Sequence, residues 1–289
     1  MYWRVSQQGH SDTMQSPNLR DVLLSLRTPR NARPAWPIAM LRLLEGSFEA
    51  QRSSGVRYDG PSVLLNRTRN ESEIREFAAS TETTERPLVK KLFARCFLDS
   101  GQVLMVDEEP VWLLTFEAPN QGGDQSNESK GRRADLVGLR RDGSLVVFEA
   151  KRAKNTDDSP LSAVVEGLDY LASLLAAGNL GKLQADIDSI RGIENESCPE
   201  AFHNVEFDRL MKPAVYVIAP AAYYASFPSD PSARNSNRVR GEGWARFAEL
   251  FSPQPDLKAQ LHPRLFDMKF LTIDDGFENT TVTSYNDRE

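Results

Sequence analysis

Cysteine and histidine are scarce in this chain, and their scarcity removes whole classes of chemistry. The two cysteines, Cys96 and Cys198, form neither a metal-ligand spacing nor a disulfide framework, which points to a reducing cytoplasm. Three histidines, His10, His203 and His262, stand in no spacing with Cys, Asp or Ser that suggests a zinc site or a triad. No glycine-rich loop runs into Lys-Ser/Thr, so phosphate-loop nucleotide hydrolysis is not expected. Long apolar runs are missing too, and the opening "MYWRVSQQGHSDTMQ" lacks the apolar stretch of a secretory leader. These absences predict a cytoplasmic protein with no membrane partner, and the sequence shows no internal repeat.

Excess positive charge is also lacking. The net charge is −6 and the pI near 5.3, which argues against a protein that coats nucleic acid along its whole surface. The mean conceals a local reversal. Between Lys130 and Lys154 eight basic residues face three acids, a balance of +5, so the remainder carries −11. A basic patch on an acidic body suits a local polyanion site; scattered solvated charge on a loop would look the same in sequence.

With 289 residues, 26% charged and 40% hydrophobic, the chain is globular and can bury a sizeable core. "NLRDVLLSLR" and "WPIAMLRLLEGSF" have helical spacing around a Pro-rich break, so residues 1–70 read as an N-terminal helical appendage. Residues 71–289 read as the main domain. There "ERPLVKKLFARCFLDSG" predicts an amphipathic helix stopped near Gly101, and "PVWLLTFEAP" a strand. The polar "NQGGDQSNESKGRR" predicts a loop. Ser159 as N-cap and Pro160 at the first helical position open a helix running to Gly178. "PAVYVIAP" predicts a buried strand, "GWARFAELF" a helix and "MKFLTI" a strand, whereas "DGFENTTVTSYNDRE" reads as a polar tail. The order indicates an α/β domain around a central mixed sheet.

The informative stretch is "ADLVGLRRDGSLVVFEAKR", two apolar runs around Asp142-Gly143. A two-residue turn there would put Asp135 on the side of Ala150. A three-residue loop, with Gly143 left-handed after a type I turn, pairs Leu139 with Leu145 and therefore Asp135 with Glu149. A slip of one residue exchanges every side chain between faces, so the two registers exclude each other. The longer loop also groups Ala134, Leu136, Val146, Phe148 and Ala150 on one apolar face, and it is the register expected. Two carboxylates facing across a strand pair repel. A divalent cation would compensate, since hard oxygen ligands from one or two carboxylates suit Mg²⁺. Lys151, on the same face as Glu149, would lie beside it. The plainer reading is a solvent-facing ion pair, worth little.

Asp135, thirteen residues, then Glu149-Ala150-Lys151 across a hairpin resembles the signature of the PD-(D/E)xK nuclease superfamily. RecB-type members carry Gln-x-x-x-Tyr on the next helix; this chain has Glu166 and Tyr170 in that spacing. The stretch with this helix and "AVYVIAP" also looks like mismatch- and branch-cleaving endonuclease domains. Ala134 stands where the proline would be, and Glu166 replaces Gln. The resemblance covers residues 71–220 and says nothing of the first seventy. It implies a restriction-endonuclease-like core, a central mixed sheet flanked by helices. It further implies a Mg²⁺- or Mn²⁺-dependent endonuclease acting on DNA, with RNA left open, working alone, as a homodimer or within a repair or defence complex.

The site residues follow from the same likeness. Asp135, Glu149 and the Ala150 carbonyl would hold metal, and Lys151 would orient or help deprotonate the attacking water. Glu85, in the first turn of its helix, would add a carboxylate, with Glu82 as competitor and a favourable helix-dipole position as the plain alternative. Glu166 and Tyr170 would contact metal or phosphate, or simply pack; Arg152, Lys154 and Arg133 would contact phosphate or remain solvated. The rival expectations are a catalytically inactive relative that binds nucleic acid or protein, and an unrelated α/β interaction protein.

Overall fold

The turn at Asp142-Gly143 settles the register on which the site depends. Arg140 donates its amide to the Ser144 carbonyl at 2.9 Å, and Gly143 donates to the Arg140 carbonyl at 3.0 Å. Gly143 takes φ +83, the left-handed position of the three-residue loop. A Cβ there would also stand 2.4 Å from the Glu206 carbonyl oxygen. The ladder runs from Leu139↔Leu145 to Leu136↔Phe148, so one further step sets Asp135 opposite Glu149.

The computed structural model describes residues 18–27, 37–53, 62–64, 71–119, 133–155, 158–193, 198–227 and 263–285. Helices α1 (Leu19–Arg27), α2 (Pro37–Ser53), α3 (Glu71–Ala78) and α4 (Glu85–Ser100) come first. Strands β1 (Val103–Val106), β2 (Glu109–Pro119), β3 (Arg133–Arg140) and β4 (Leu145–Ala150) follow, then helices α5 (Pro160–Leu174) and α6 (Leu180–Ile193). Strand β5 (Ala214–Ala219), the short helix α7 (Ala221–Ala225) and strands β6 (Asp267–Thr272) and β7 (Thr281–Ser284) complete the order. Gly101 caps α4 in the left-handed conformation, as its position predicts. The Ser159 hydroxyl accepts the Ser162 amide at the start of α5, whose helical turns end at Leu174 rather than Gly178. The expected helix at "GWARFAELF" and the loop at 120–132 lie outside the described residues.

The strands form a closed barrel in the order β1 to β7, not the open restriction-endonuclease-like sheet that the resemblance implies. What overturns that expectation is β7. Thr281–Ser284 lies inside the segment read as a polar tail, yet it pairs parallel with β1 (Met105↔Thr281, Val106↔Val282) and antiparallel with β6 (Leu271↔Ser284, Thr272↔Thr283). It thereby joins two strands that would otherwise be edges. Its sequence, TVTS, buries only Val282, so no apolar alternation announces a strand. Asp107 holds the closure: its carboxylate accepts from the Ser284 amide and hydroxyl, both at 2.6 Å, and from Lys269 Nζ at 2.9 Å.

Two apolar clusters lie on opposite sides of the strands. One joins Trp112, Val137, Leu139, Leu145, Val147, Val215 and Val217 to α1, α2, α5 and α6. The other joins Leu113, Leu136, Val146, Phe148, Tyr216 and Ile218 to α3 and α4. Leu136, Val146, Phe148 and Ala150 group as the register predicts, whereas Ala134 packs with the first cluster. Burial on both faces explains why β4 and β5 read as nearly continuous apolar runs, against which any charge stands out. Leu19, Val22, Leu23, Leu41, Leu44 and Phe48 of α1 and α2 belong to the same cluster as α5, and Gln51 Nε2 donates to Asp169 Oδ1 at 2.7 Å. Among the described residues no helix is long and apolar enough to cross a membrane.

Candidate active site

Where β4 ends, its backbone keeps to β5 for one more residue, as the Lys151 amide donates to the Ile218 carbonyl at 2.9 Å. Alternation then places Lys151 and Glu149 on one side, under α5. Lys151 is only 2% exposed and Glu149 3%. A lysine with so little solvent must find its partners within the protein. Lys151 Nζ donates to Glu149 Oε1 at 2.5 Å and meets Glu85 Oε1 and Glu166 Oε2 at 3.4 Å each. Three elements therefore converge on one ammonium: β4 itself, the first turn of α4 and the middle of α5.

Asp135, near the start of β3, is the fourth acid. Its Oδ2 accepts the Ala150 amide at 2.8 Å, which aims its carboxylate across the strand pair toward Glu149. Glu85 is braced by Asn155, whose Nδ2 donates to Oε2 at 3.1 Å. Glu82 is exposed outside α4, so Glu85 is the acid that this helix delivers.

Four carboxylates around one ammonium leave a local deficit of positive charge, and proton affinities respond. Burial raises Asp135 to about 7, with Glu85 and Glu166 adding to the rise and Lys151 and the Ala150 amide opposing it. Burial and then Glu166 push Glu149 well above the usual carboxylate range, against the pull of Lys151. For Lys151 burial works the other way, but Glu149, Glu166, Glu85 and Asp135 outweigh it and hold the amine well above its ordinary value. The amine is thus an ammonium throughout the neutral range. An ammonium held in this way suits stabilising negative charge.

The remaining expected residues divide. Tyr170, one turn after Glu166 on α5, is buried, and its hydroxyl is held protonated by burial and by the nearby Glu149 and Glu166. Arg152 and Lys154 are exposed on the segment after β4, and neither is drawn into the cluster. Ala150 donates its amide to Asp135. Asn155 escaped the sequence reading, as did Glu117 on β2 and Arg86 on α4. Arg86 Nε and Nη2 donate to the two carboxylate oxygens of Glu117, the latter at 2.9 Å. Residue chemistry alone gives no signal for such pairs, since the partners lie 31 positions apart.

Among the described residues no three His, Cys, Asp or Glu side chains stand at metal-binding spacing; the acids gather on Lys151 instead. The donor chemistry nonetheless fits a hard divalent cation. Glu149 Oε2 is buried without a hydrogen-bond partner among the described residues, and the facing Asp135 supplies a second carboxylate. What fold and site define is a closed, mixed β-barrel with flanking helices that carries a buried, lysine-centred acidic cluster. No family model, no curated protein and no solved structure matches the chain.

Proposed function

We propose that the protein is a metal-dependent phosphodiesterase that hydrolyses DNA, with Asp135, Glu149 and Lys151 as its catalytic residues. The observation that carries this reading is the unpartnered, buried Oε2 of Glu149 beside a second carboxylate and an ammonium. A packing role leaves that oxygen unexplained, because an unsatisfied buried acceptor costs about 1–3 kcal/mol. The D-x₁₃-E-x-K spacing of the PD-(D/E)xK superfamily supports the same assignment, here on a closed sheet.

Asp135 and Glu149 would hold Mg²⁺ or Mn²⁺, with the Ala150 carbonyl beside them. Such a cation, when bound, lowers the pKa of its water and neutralises charge on the scissile phosphate. Lys151 places a fixed ammonium where negative charge grows on the phosphoryl oxygens, and needs no reorganisation to do so. Glu166 and Glu85 keep that ammonium charged and oriented. Arg152 and Lys154, exposed next to the site, are available to backbone phosphates.

The test is incubation of plasmid, single-stranded DNA and single-stranded RNA with the purified protein, Mg²⁺ or Mn²⁺, beside Glu149→Ala and Lys151→Ala. Cleavage of DNA that requires the ion and disappears in both variants is expected. Equal cleavage by all three proteins overturns the reading. Ion-independent binding without cleavage favours the alternative, an inactive module for nucleic acid or a protein partner. The gathering of the acids on Lys151, rather than at metal spacing, speaks for that second reading.

A further inference from the structure

Glu117 is a non-glycine strand residue at φ +50, buried to 7% exposure, inside β2. A backbone in that region is strained and persists only where its surroundings impose it. Its place is informative. The ladder between β2 and β3 includes Phe116↔Leu136 and Ala118↔Ala134, which sets Glu117 across from Asp135, just as Asp135 lies across from Glu149. Three acids therefore cross three neighbouring strands in one row. The outermost carries a two-pronged bond from Arg86, the residue after Glu85 in the first turn of α4.

The Arg86 side chain is 64% exposed, yet two of its nitrogens are fixed on a carboxylate that is 7% exposed. Staying largely in water spares the guanidinium most of the cost of desolvation. Arg86 keeps Nη1 without a partner among the described residues, on a side chain that is open to solvent. A planar fork held in this way presents its free N–H groups in a set direction, which suits a phosphate oxygen.

We infer that Arg86, oriented by Glu117, binds a backbone phosphate of the nucleic-acid substrate next to the Asp135–Glu149–Lys151 cluster; this rests on the phosphodiesterase reading above. Glu117 is a positioning residue and Arg86 a substrate-binding one. The strained strand residue is then accounted for: it turns the carboxylate out of the row of acids and toward α4.

Equilibrium binding of a fluorescent single-stranded or duplex DNA is measured in Ca²⁺, across a salt series, for four proteins. These are wild type, Arg86→Lys, Glu117→Gln, and Arg86→Ala with Glu117→Gln, the last leaving no bare carboxylate beside Asp135. The double variant should bind about tenfold more weakly, with the slope of log affinity against log salt smaller by about one. Arg86→Lys should keep the slope and lose affinity, because charge remains while the fork is gone. Glu117→Gln should lower affinity while its thermal unfolding midpoint stays close to that of wild type. A double variant that binds with wild-type affinity and slope overturns the inference and leaves the phosphodiesterase reading standing. A wild-type protein that neither binds nor cuts nucleic acid removes that reading, and the inference with it.

Discussion

The ammonium of Lys151 lies 2.5 Å from Oε1 of Glu149, two residues earlier in the chain, and both side chains are almost wholly sealed from water. Residues at i and i+2 on an extended segment point the same way, so the backbone imposes their proximity. A pair of this kind is a poor device for stability: desolvating two charges can cost more than their attraction returns. Placed under α5 with Glu85, Glu166 and Asp135 beside it, the pair answers better to the proposed site than to packing.

Removing the ammonium alone should therefore be severe. Lys151→Met leaves Glu149, Glu166, Glu85 and Asp135 facing one another, and a loss of about 3–5 kcal/mol is expected from urea unfolding at pH 7.5. The loss should shrink as the pH is lowered to 5.5 and the acids take up protons. Adding Glu149→Leu to Lys151→Met should recover much of the stability. A single variant as stable as wild type at both pH values would mean that the acids are not electrostatically coupled to Lys151.

The wild-type protein should become more stable on mild acidification. Asp135 releases its proton near 3.8 when exposed and near 7 in the fold. Between those values the folded state binds the extra proton, so stability rises as pH falls from about 7.5 toward 5 and declines as pH rises through 7. Lys151, raised above its ordinary value, contributes stability that is fully present throughout this window and does not change the sign. Thermal unfolding across pH 5–8 reads the effect directly. In Asp135→Asn the slope should be reduced; an unchanged slope would assign the proton to another group.

On the proposed reading, the same proton would link metal uptake to pH. A cation that takes the Asp135 and Glu149 carboxylates must displace the protons they hold, so Mn²⁺ affinity should increase as pH rises from 6 to 8. Titration calorimetry in two buffers of different ionisation enthalpy should show proton release accompanying uptake. Asp135→Asn should lose both the affinity and the released proton. Binding that is tight but pH-independent would place the ion elsewhere.

The hairpin, its bulged turn and the convergence of Asp135, Glu149 and Lys151 were legible because they rest on local rules: strand alternation, the left-handed glycine and register. Glu85 and Glu166 were legible only through the family resemblance, since a first-turn acid and a mid-helix acid are ordinary in a helix. The closure of the barrel was not, since β7 is four largely polar residues whose pairing depends on partners more than a hundred positions away. Arg86–Glu117 was hidden for a related reason, as a buried acid is ordinary in composition and becomes informative only beside its strained backbone and its row of neighbours.

The helix that supplies Glu166 has little freedom to move. A Cβ on Gly167 would stand 2.5 Å from Val215 Cγ1, so α5 lies against β5 with no space for a methyl group. Gly167→Ala should cost about 1–3 kcal/mol through overpacking. It should also shift Glu166 relative to Lys151 although neither residue is altered, lowering any cleavage rate more than substrate affinity. Gly181→Ala on α6, where a Cβ meets nothing within 4 Å, is the control and should be neutral or slightly stabilising.

Barrel closure makes a separate prediction, with the opposite pH sign. Asp107 is the post on which β7 is fastened, and although burial opposes the charged form, bonds from Ser284 and Lys269 hold its carboxyl below the usual range. Its stabilisation is present above the ordinary carboxylate value and is lost as pH falls through the folded one, whereas the Asp135 contribution grows on acidification. Asp107→Ala should cost about 2 kcal/mol, from the loss of charge-assisted bonds that each contribute about 1.5–3 kcal/mol in favourable cases and less at a part-exposed site such as this. Because only two residue pairs join β7 to β1, the loss should concentrate there. Hydrogen exchange should show the amides of Ser284, Met105 and Asp107 losing protection, while Lys151 and the centre of β4 keep theirs. Uniform loss across all strands would show instead that closure and core unfold as one unit, and that the seventh strand is integral to the sheet rather than a strap across its edges.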